Sequence, residues 1–143
     1  MPVISYQTSV NDKRWGKIFP EYEQVIDKCL KHIKAKGELS ILLTNDKEIQ
    51  ALNKTYRGKN KPTNVLSFPQ DAPLLGDVVM ALETLKREAK EQDKTFHDHF
   101  CHLFIHGVLH LLGYDHENDK DQDKMESHEK KILHKLGIAN PYI

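Results

Sequence analysis

Apolar positions along this chain repeat with the period of strands in the first half and with the period of helices in the second. Residues 3–8 alternate in part and predict a short first strand. From 11 to about 35, Trp15, Ile18, Tyr22, Val25, Ile26, Cys29, Leu30 and Ile33 recur three and four apart, the spacing of one helix face. Pro20 falls inside that stretch and is expected to kink or split the helix, because it donates no backbone N–H and its ring clashes with the preceding turn. Gly37 is a plausible stop. Leu39, Ile41, Leu42 and Leu43 make 38–44 a second strand, and Asn45 with Glu48 suggests a capping box for a helix through Ile49, Leu52 and Tyr56. Two further strands are expected at 65–68 and 77–81, around a turn-prone stretch at 69–76. Helical spacing then resumes over 82–91, over a very apolar 95–112 stopped by Gly113, and over 119–135, ending at Gly137. Strands early and helices late predict an α+β fold, a small sheet packed with about five helices.

Length adds that 143 residues suit one domain over 1–143 with one core. Lys plus Arg and Asp plus Glu both number 21, so the formal charge is zero. That excludes coating of nucleic acid by bulk charge and leaves only a local patch for such a partner. The N-terminus lacks a basic segment followed by an apolar one, and no apolar run reaches the length of a membrane span, so a cytoplasmic protein with no membrane partner is expected. Cys29 and Cys101 form no Cys-x-x-Cys pair and read as reduced, buried thiols.

The histidines change the picture. Nine occur in the chain, and His97, His99, His102, His106, His110 and His116 crowd into one short stretch. His102, His106 and His110 stand at i, i+4 and i+8 on one helix face. A helix rises about 1.5 Å per residue, which puts His102 and His110 roughly 12 Å apart along the axis. Zinc takes nitrogen ligands at about 2.0–2.1 Å from a single point. One i, i+4 pair can converge on it, and three in a row cannot. Gly113 can turn the chain back after His110 and present His116, so His106-x-x-x-His110-x-x-Gly113-x-x-His116 has the ligand spacing of the metzincin helix and turn. Three protein ligands leave a fourth position for water, the catalytic arrangement, with one zinc ion per chain. Three imidazoles also accept other first-row ions.

His102 is then assigned to packing or a polar interior, His97 and His99 to solvent or the site mouth, and His32, His128 and His134 to the surface. Metallopeptidases place Glu after the first histidine as general base, and here that residue is Gly107, which counts against peptide hydrolysis. Asp115 either orients a ligand histidine, assists the water, or caps the turn. An EF-hand reading of the acidic run from Asp115 fails, because its sixth position is Lys120 where glycine is required.

The run His106-Gly107-Val108-Leu109-His110-Leu111-Leu112-Gly113-Tyr114-Asp115-His116 resembles the signature of the YbeY family, bacterial zinc-dependent endoribonucleases and ribosomal RNA maturation factors. Leu52-Asn53-Lys54-Thr55-Tyr56-Arg57-Gly58-Lys59, then Pro62-Thr63-Asn64-Val65-Leu66-Ser67-Phe68-Pro69, and Leu75-Gly76-Asp77-Val78-Val79 are similar to further blocks of that family. Met125, Glu129, Ile132 and Leu133 are similar to its last helix. The resemblance implies a mixed, roughly four-stranded sheet flanked by helices, and a single zinc on His106, His110 and His116. It also implies a functional arginine at Arg57, close to the metal. The implied role is processing of ribosomal RNA, notably small-subunit RNA 3′-end maturation, with ribosome quality control; DNA is not expected as a substrate. Asn64 stands where the family usually has Asp, keeping the shape without the charge. Met80-Ala81 stand where the Gly-Asp strand often continues into a small polar residue.

Phosphodiester cleavage needs an activated nucleophile and charge stabilisation at phosphorus. A metal-activated water or the RNA 2′-hydroxyl could serve as the nucleophile, and the planar fork of Arg57 suits phosphoryl oxygens. Lys59 and Lys61 make the loop after Arg57 basic. Two other functions fit the same residues: a small zinc metallopeptidase-like hydrolase, and a non-catalytic ribosome-assembly factor with a structural zinc.

Overall fold

The computed structural model describes residues 3–114 and 118–142. Four strands form one sheet, β1 (Ile4–Val10), β2 (Gly37–Thr44), β3 (Val65–Pro69) and β4 (Leu74–Ala81), in the order β1-β2-β4-β3. β1 pairs parallel with β2, β2 parallel with β4, and β3 antiparallel with β4, so the sheet is mixed and β3 is an edge. Six helices accompany it among the described residues: α1 (Arg14–Ile18), α2 (Tyr22–Lys31), α3 (Asp46–Arg57), α4 (Leu82–Glu91), α5 (Phe96–Leu111) and α6 (Asp119–Lys135). The α+β architecture and the four-stranded mixed sheet expected from the sequence are the ones observed. Pro20 splits the first long helical pattern into α1 and α2, which accounts for six helices where about five are expected.

β4 starts earlier than its alternation suggests. Gly76 lies inside the strand at φ 138°, and a Cβ there would stand 2.2 Å from the Phe68 carbonyl oxygen. The glycine marks a close approach of β3 to β4, not a turn.

The two faces of the sheet are dressed differently. Leu39, Ile41, Leu43, Val78 and Met80 point into the main core, with Trp15, Phe19, Phe100 and Phe104. Trp15 is fully buried, and its Nε1–H donates to the Thr44 carbonyl at 2.8 Å. On the opposite face Leu66, Val79 and Ala81 pack under Ile49 of α3. α5 lies against β3 and β4 and is flanked by α2, α4 and α6. No helix among the described residues is long and apolar enough to cross a membrane. Cys29 and Cys101 are buried free thiols.

α3 begins where the sequence places it. Asn45 Oδ1 accepts from the Glu48 N–H at 2.9 Å, and Asn45 Nδ2 donates to Asp12 Oδ2 at 3.1 Å. Asn45→Ala is expected to cost about 1 kcal/mol of unfolding free energy through the lost cap, read from urea denaturation at unchanged m-value.

Candidate metal centre

α5 carries the site because almost all of it is buried. From residue 99 to 111 the only positions not buried are His102, His106 and His110. The i, i+4, i+8 spacing thus becomes one half-open stripe on an otherwise apolar helix. Thr95 opens the helix by accepting from the Asp98 N–H at 3.1 Å. At the far end the Tyr114 N–H reaches the Leu109 carbonyl and the Gly113 N–H reaches the His110 carbonyl, with Gly113 at φ 96°. That is the Schellman arrangement, and it ends α5 at Leu111, one residue past His110.

His106 and His110 face each other with ring centroids 5.2 Å apart and planes at 75°. Behind His106 stands Glu129 of α6, fully buried. Glu129 Oε1 accepts from His106 Nδ1, and Glu129 Oε2 accepts from the Tyr142 hydroxyl. Burial pushes the Glu129 carboxyl upward, but the hydrogen bonds from His102, His106 and Tyr142 outweigh it and hold the group at about 2. It is therefore anionic at neutral pH, which fixes the His106 proton on Nδ1 and leaves Nε2 as the lone-pair nitrogen. Burial and the hydrogen bond to Glu129 both raise the Tyr142 hydroxyl above its ordinary value, so it remains a donor.

His102 stands one turn before that pair, its ring 6.4 Å from that of His106 between centroids. Its Nε2 lies 3.2 Å from the Tyr142 hydroxyl and 3.5 Å from Glu129 Oε2. This is the polar-interior role its helical position predicts. His97 is largely solvated, as expected. His99 is not: its side chain is 2% exposed and its Nε2 sits 2.9 Å from Glu88 Oε1 of α4. The expectation of a solvated His99 fails because α4 packs beside the first turn of α5. His128, expected at the surface, is half-buried with its Nε2 3.1 Å from the Tyr114 hydroxyl.

Across from the histidine stripe, a cleft of about 240 Å³ is lined by Arg57, Asn64, Ser67, His102, His106, His110 and Tyr142. Arg57 is the last residue of α3, exposed, and has no carboxylate partner among the described residues. Asn64 donates from Nδ2 to Glu88 at 3.0 and 3.3 Å and accepts the Val65 N–H at 2.7 Å. Glu88 is thus shared between Asn64 and His99. Burial raises the Glu88 carboxyl, and these two donors more than offset it, so it lies below the usual carboxylate range. Lys59 and Lys61 are exposed outside the cleft, and their loop is pinned by Asn53 Nδ2 donating to the Lys61 carbonyl at 3.0 Å.

Of the site residues expected from sequence, Arg57, His106 and His110 come together in one cleft. Asp115 and His116 lie outside the described residues, so no complete set of three metal-binding side chains is defined among those described. Two imidazoles at convergent spacing, one backed by an anionic carboxylate, suit a first-row divalent cation. Glu129 and Tyr142 escape a sequence reading of the site. A signal for Glu129 exists: it occupies the stripe of Met125, Ile132 and Leu133, where a charged residue has to find a partner.

Gly107 has a structural reason. Its carbonyl accepts from Ser67 Oγ at 2.9 Å, and a Cβ there would lie 3.1 Å from Ser67 Oγ and 3.2 Å from Val65 Cγ2 and Val78 Cγ1. α5 rests directly on β3 and β4, where a peptidase would need room for its general base.

A His-x-x-x-His helix and an exposed arginine facing one cleft define the equipment of a hydrolase for an anionic substrate. A family model described as Endoribonuclease YbeY matches residues 4–137. The Endoribonuclease YbeY of Bartonella bacilliformis is 42% identical, with 98% of each chain covered. That of Colwellia psychrerythraea is 54% identical over 74% of this chain and 72% of its own. The solution structure of TM1509 from Thermotoga maritima superposes with a TM-score of 0.58 at 24% identity, covering 94% of this chain and 92% of that one, and so shares the fold. The chain belongs to the YbeY family, metal-dependent endoribonucleases, and is a hydrolytic nuclease.

Proposed function

We propose that this protein, as one domain over residues 1–143, cleaves single-stranded ribosomal RNA in the cytoplasm. The proposed role is maturation of the small-subunit RNA 3′ end and ribosome quality control, with one zinc ion held by His106, His110 and His116. The observation that carries this reading is the half-open histidine stripe of α5, backed by Glu129 and facing Arg57 across a single cleft. When bound, zinc supplies a lowered water pKa and neutralises charge on a phosphoryl oxygen. The residues of the chain do the rest. Glu129 holds the His106 proton on Nδ1, so that Nε2 faces the metal position. Arg57 grips the two non-bridging phosphodiester oxygens and stabilises the charge that grows on them. Ser67, through its bond to the Gly107 carbonyl, ties β3 to the metal helix and sets the width of the cleft. Asp115, beside His116, is assigned to orient that ligand or to assist the attacking water.

The test pairs elemental analysis with cleavage of single-stranded oligoribonucleotides. The wild-type protein should hold one zinc and cut RNA but not the DNA of the same sequence. His110→Ala should lose both metal and cleavage. Arg57→Ala should keep the metal and lose about a hundredfold or more in kcat. Cleavage that survives removal of the metal would overturn the reading. A protein that binds RNA through Arg57 without turnover would instead be an assembly factor. Peptidase activity is disfavoured by the packing around Gly107.

A further inference from the structure

The face of the sheet away from α5 is only partly covered. α3 packs over Leu66, Val79 and Ala81, and beside it a second cleft of about 710 Å³ opens over Ser40, Leu42, Val79 and Phe68. That volume lies within the range of ligand clefts, about 300–1,000 Å³. At its mouth Tyr56 is 66% exposed, its ring resting on Phe68 with centroids 5.4 Å apart and planes at 64°. The Tyr56 ring is therefore seated against Phe68 while most of the side chain stays open to solvent.

This cleft and the metal cleft lie on opposite faces of the sheet, on either side of its β3 edge. Arg57 and Ser67 line the metal cleft, while their chain neighbours Tyr56 and Phe68 line the second. Successive Cα atoms are about 3.8 Å apart, so the end of α3 and the edge strand β3 form a wall common to both. Charge divides the two sides. The exposed cations Arg57, Lys59 and Lys61 follow one another at the end of α3 and in the loop after it, and the second cleft holds Asp77, which repels phosphate. A polyanion following this path keeps its backbone over the cations and turns its uncharged, flat part inward.

We propose that the Tyr56–Phe68 cleft is a base-binding subsite: one base next to the scissile phosphate of single-stranded RNA stacks on Tyr56 while Arg57 holds the phosphate. The proposal rests on the ribonuclease reading above and names where its substrate lies. Stacking explains a preference for single strands, because a base within a duplex offers no free face. It also asks for no particular base, since every base has a π-face.

The experiment compares wild type, Tyr56→Phe, Tyr56→Trp and Tyr56→Ala on a single-stranded oligoribonucleotide and on copies carrying one abasic position beside the cleaved bond. Tyr56 is exposed, so Tyr56→Ala should melt as wild type does and hold the same metal. Expected is a rise in KM, and a fall in RNA affinity by fluorescence anisotropy, of about tenfold. The effect should be rescued by Phe and Trp and be absent on the abasic copy that removes the stacked base. A 2-aminopurine at that position should be quenched on binding wild type and not Tyr56→Ala. Unchanged RNA affinity in Tyr56→Ala would overturn the subsite and give this face to another partner. So would an equal loss on every abasic copy. Binding is measured apart from cleavage, so a protein that fails to cut RNA sinks the parent reading while the anisotropy still decides this one.

Discussion

Gly107→Glu, which restores the residue that follows the first histidine in metallopeptidases, should unfold the domain rather than convert it. The position is buried, and α5 meets β3 and β4 there backbone to side chain. A Cβ alone would stand 3.1 Å from Ser67 Oγ and 3.2 Å from the methyls of Val65 and Val78. Alanine therefore asks its neighbours to give by a few tenths of an ångström, while gaining up to about 1 kcal/mol of helix propensity. The two effects oppose, and Gly107→Ala should fall within about 1 kcal/mol of wild type. Glutamate adds a longer chain at a contact already tight for a Cβ. Overpacking there should cost about 3 kcal/mol or more, a large share of the 5–15 kcal/mol that holds a domain together. Thermal melts of the three proteins decide it. A Gly107→Glu protein melting within a few degrees of wild type would show that α5 can lift from the sheet, and the packing explanation of the missing base would fall.

The same contact shows what a linear reading can and cannot reach. α5 is legible because two signals agree on it, an apolar pattern on nearly every face and Gly113 at the stop. The pairing of His106 with His110 follows from helix geometry alone. Arg57 is different. That it ends α3 can be read from the sequence, but its arrival at the histidine stripe depends on α3 and α5 lying on opposite faces at the edge of the sheet. Its place near the metal is expected from family resemblance rather than from spacing.

The misses share one cause. Gly76 reads as a turn residue until β3 is laid against it and its missing side chain proves to be the point of contact. His99 reads as a solvated residue near a helix start until Glu88 of α4, eleven positions earlier, is placed at its Nε2. Glu129 reads only as one of the residues similar to the family's last helix until α6 is docked and its carboxylate lands on a histidine 23 positions away. Each depends on a long-range contact that local periodicity does not contain. Each also leaves a local trace, a glycine within a strand, a histidine followed by apolar residues, a charge on an apolar stripe.

Glu129 yields the second large effect. Glu129→Gln keeps the volume and, at the oxygen facing His106, keeps an acceptor for Nδ1–H. It removes the charge, and at the other arm it sets an amide where the Tyr142 hydroxyl donates and His102 Nε2 approaches at 3.5 Å. The His106 imidazole loses its anionic partner and becomes a poorer base at Nε2, and the metal affinity should fall by about 10–100-fold, measured by chelator competition. Glu129→Ala goes further, since it leaves His106, His102 and Tyr142 without their shared acceptor and opens a cavity at a fully buried site. It should cost about 3–5 kcal/mol of stability as well. The Gln variant separates the roles. If Glu129 serves the metal through His106, cleavage by Glu129→Gln should fail at limiting zinc and return toward the wild-type kcat at saturating zinc. Were Glu129 only a structural anchor between α5 and α6, the variant would melt earlier yet bind zinc as tightly as wild type. A kcat that stays low at saturating zinc would place Glu129 in the chemistry itself, which its burial behind His106 argues against.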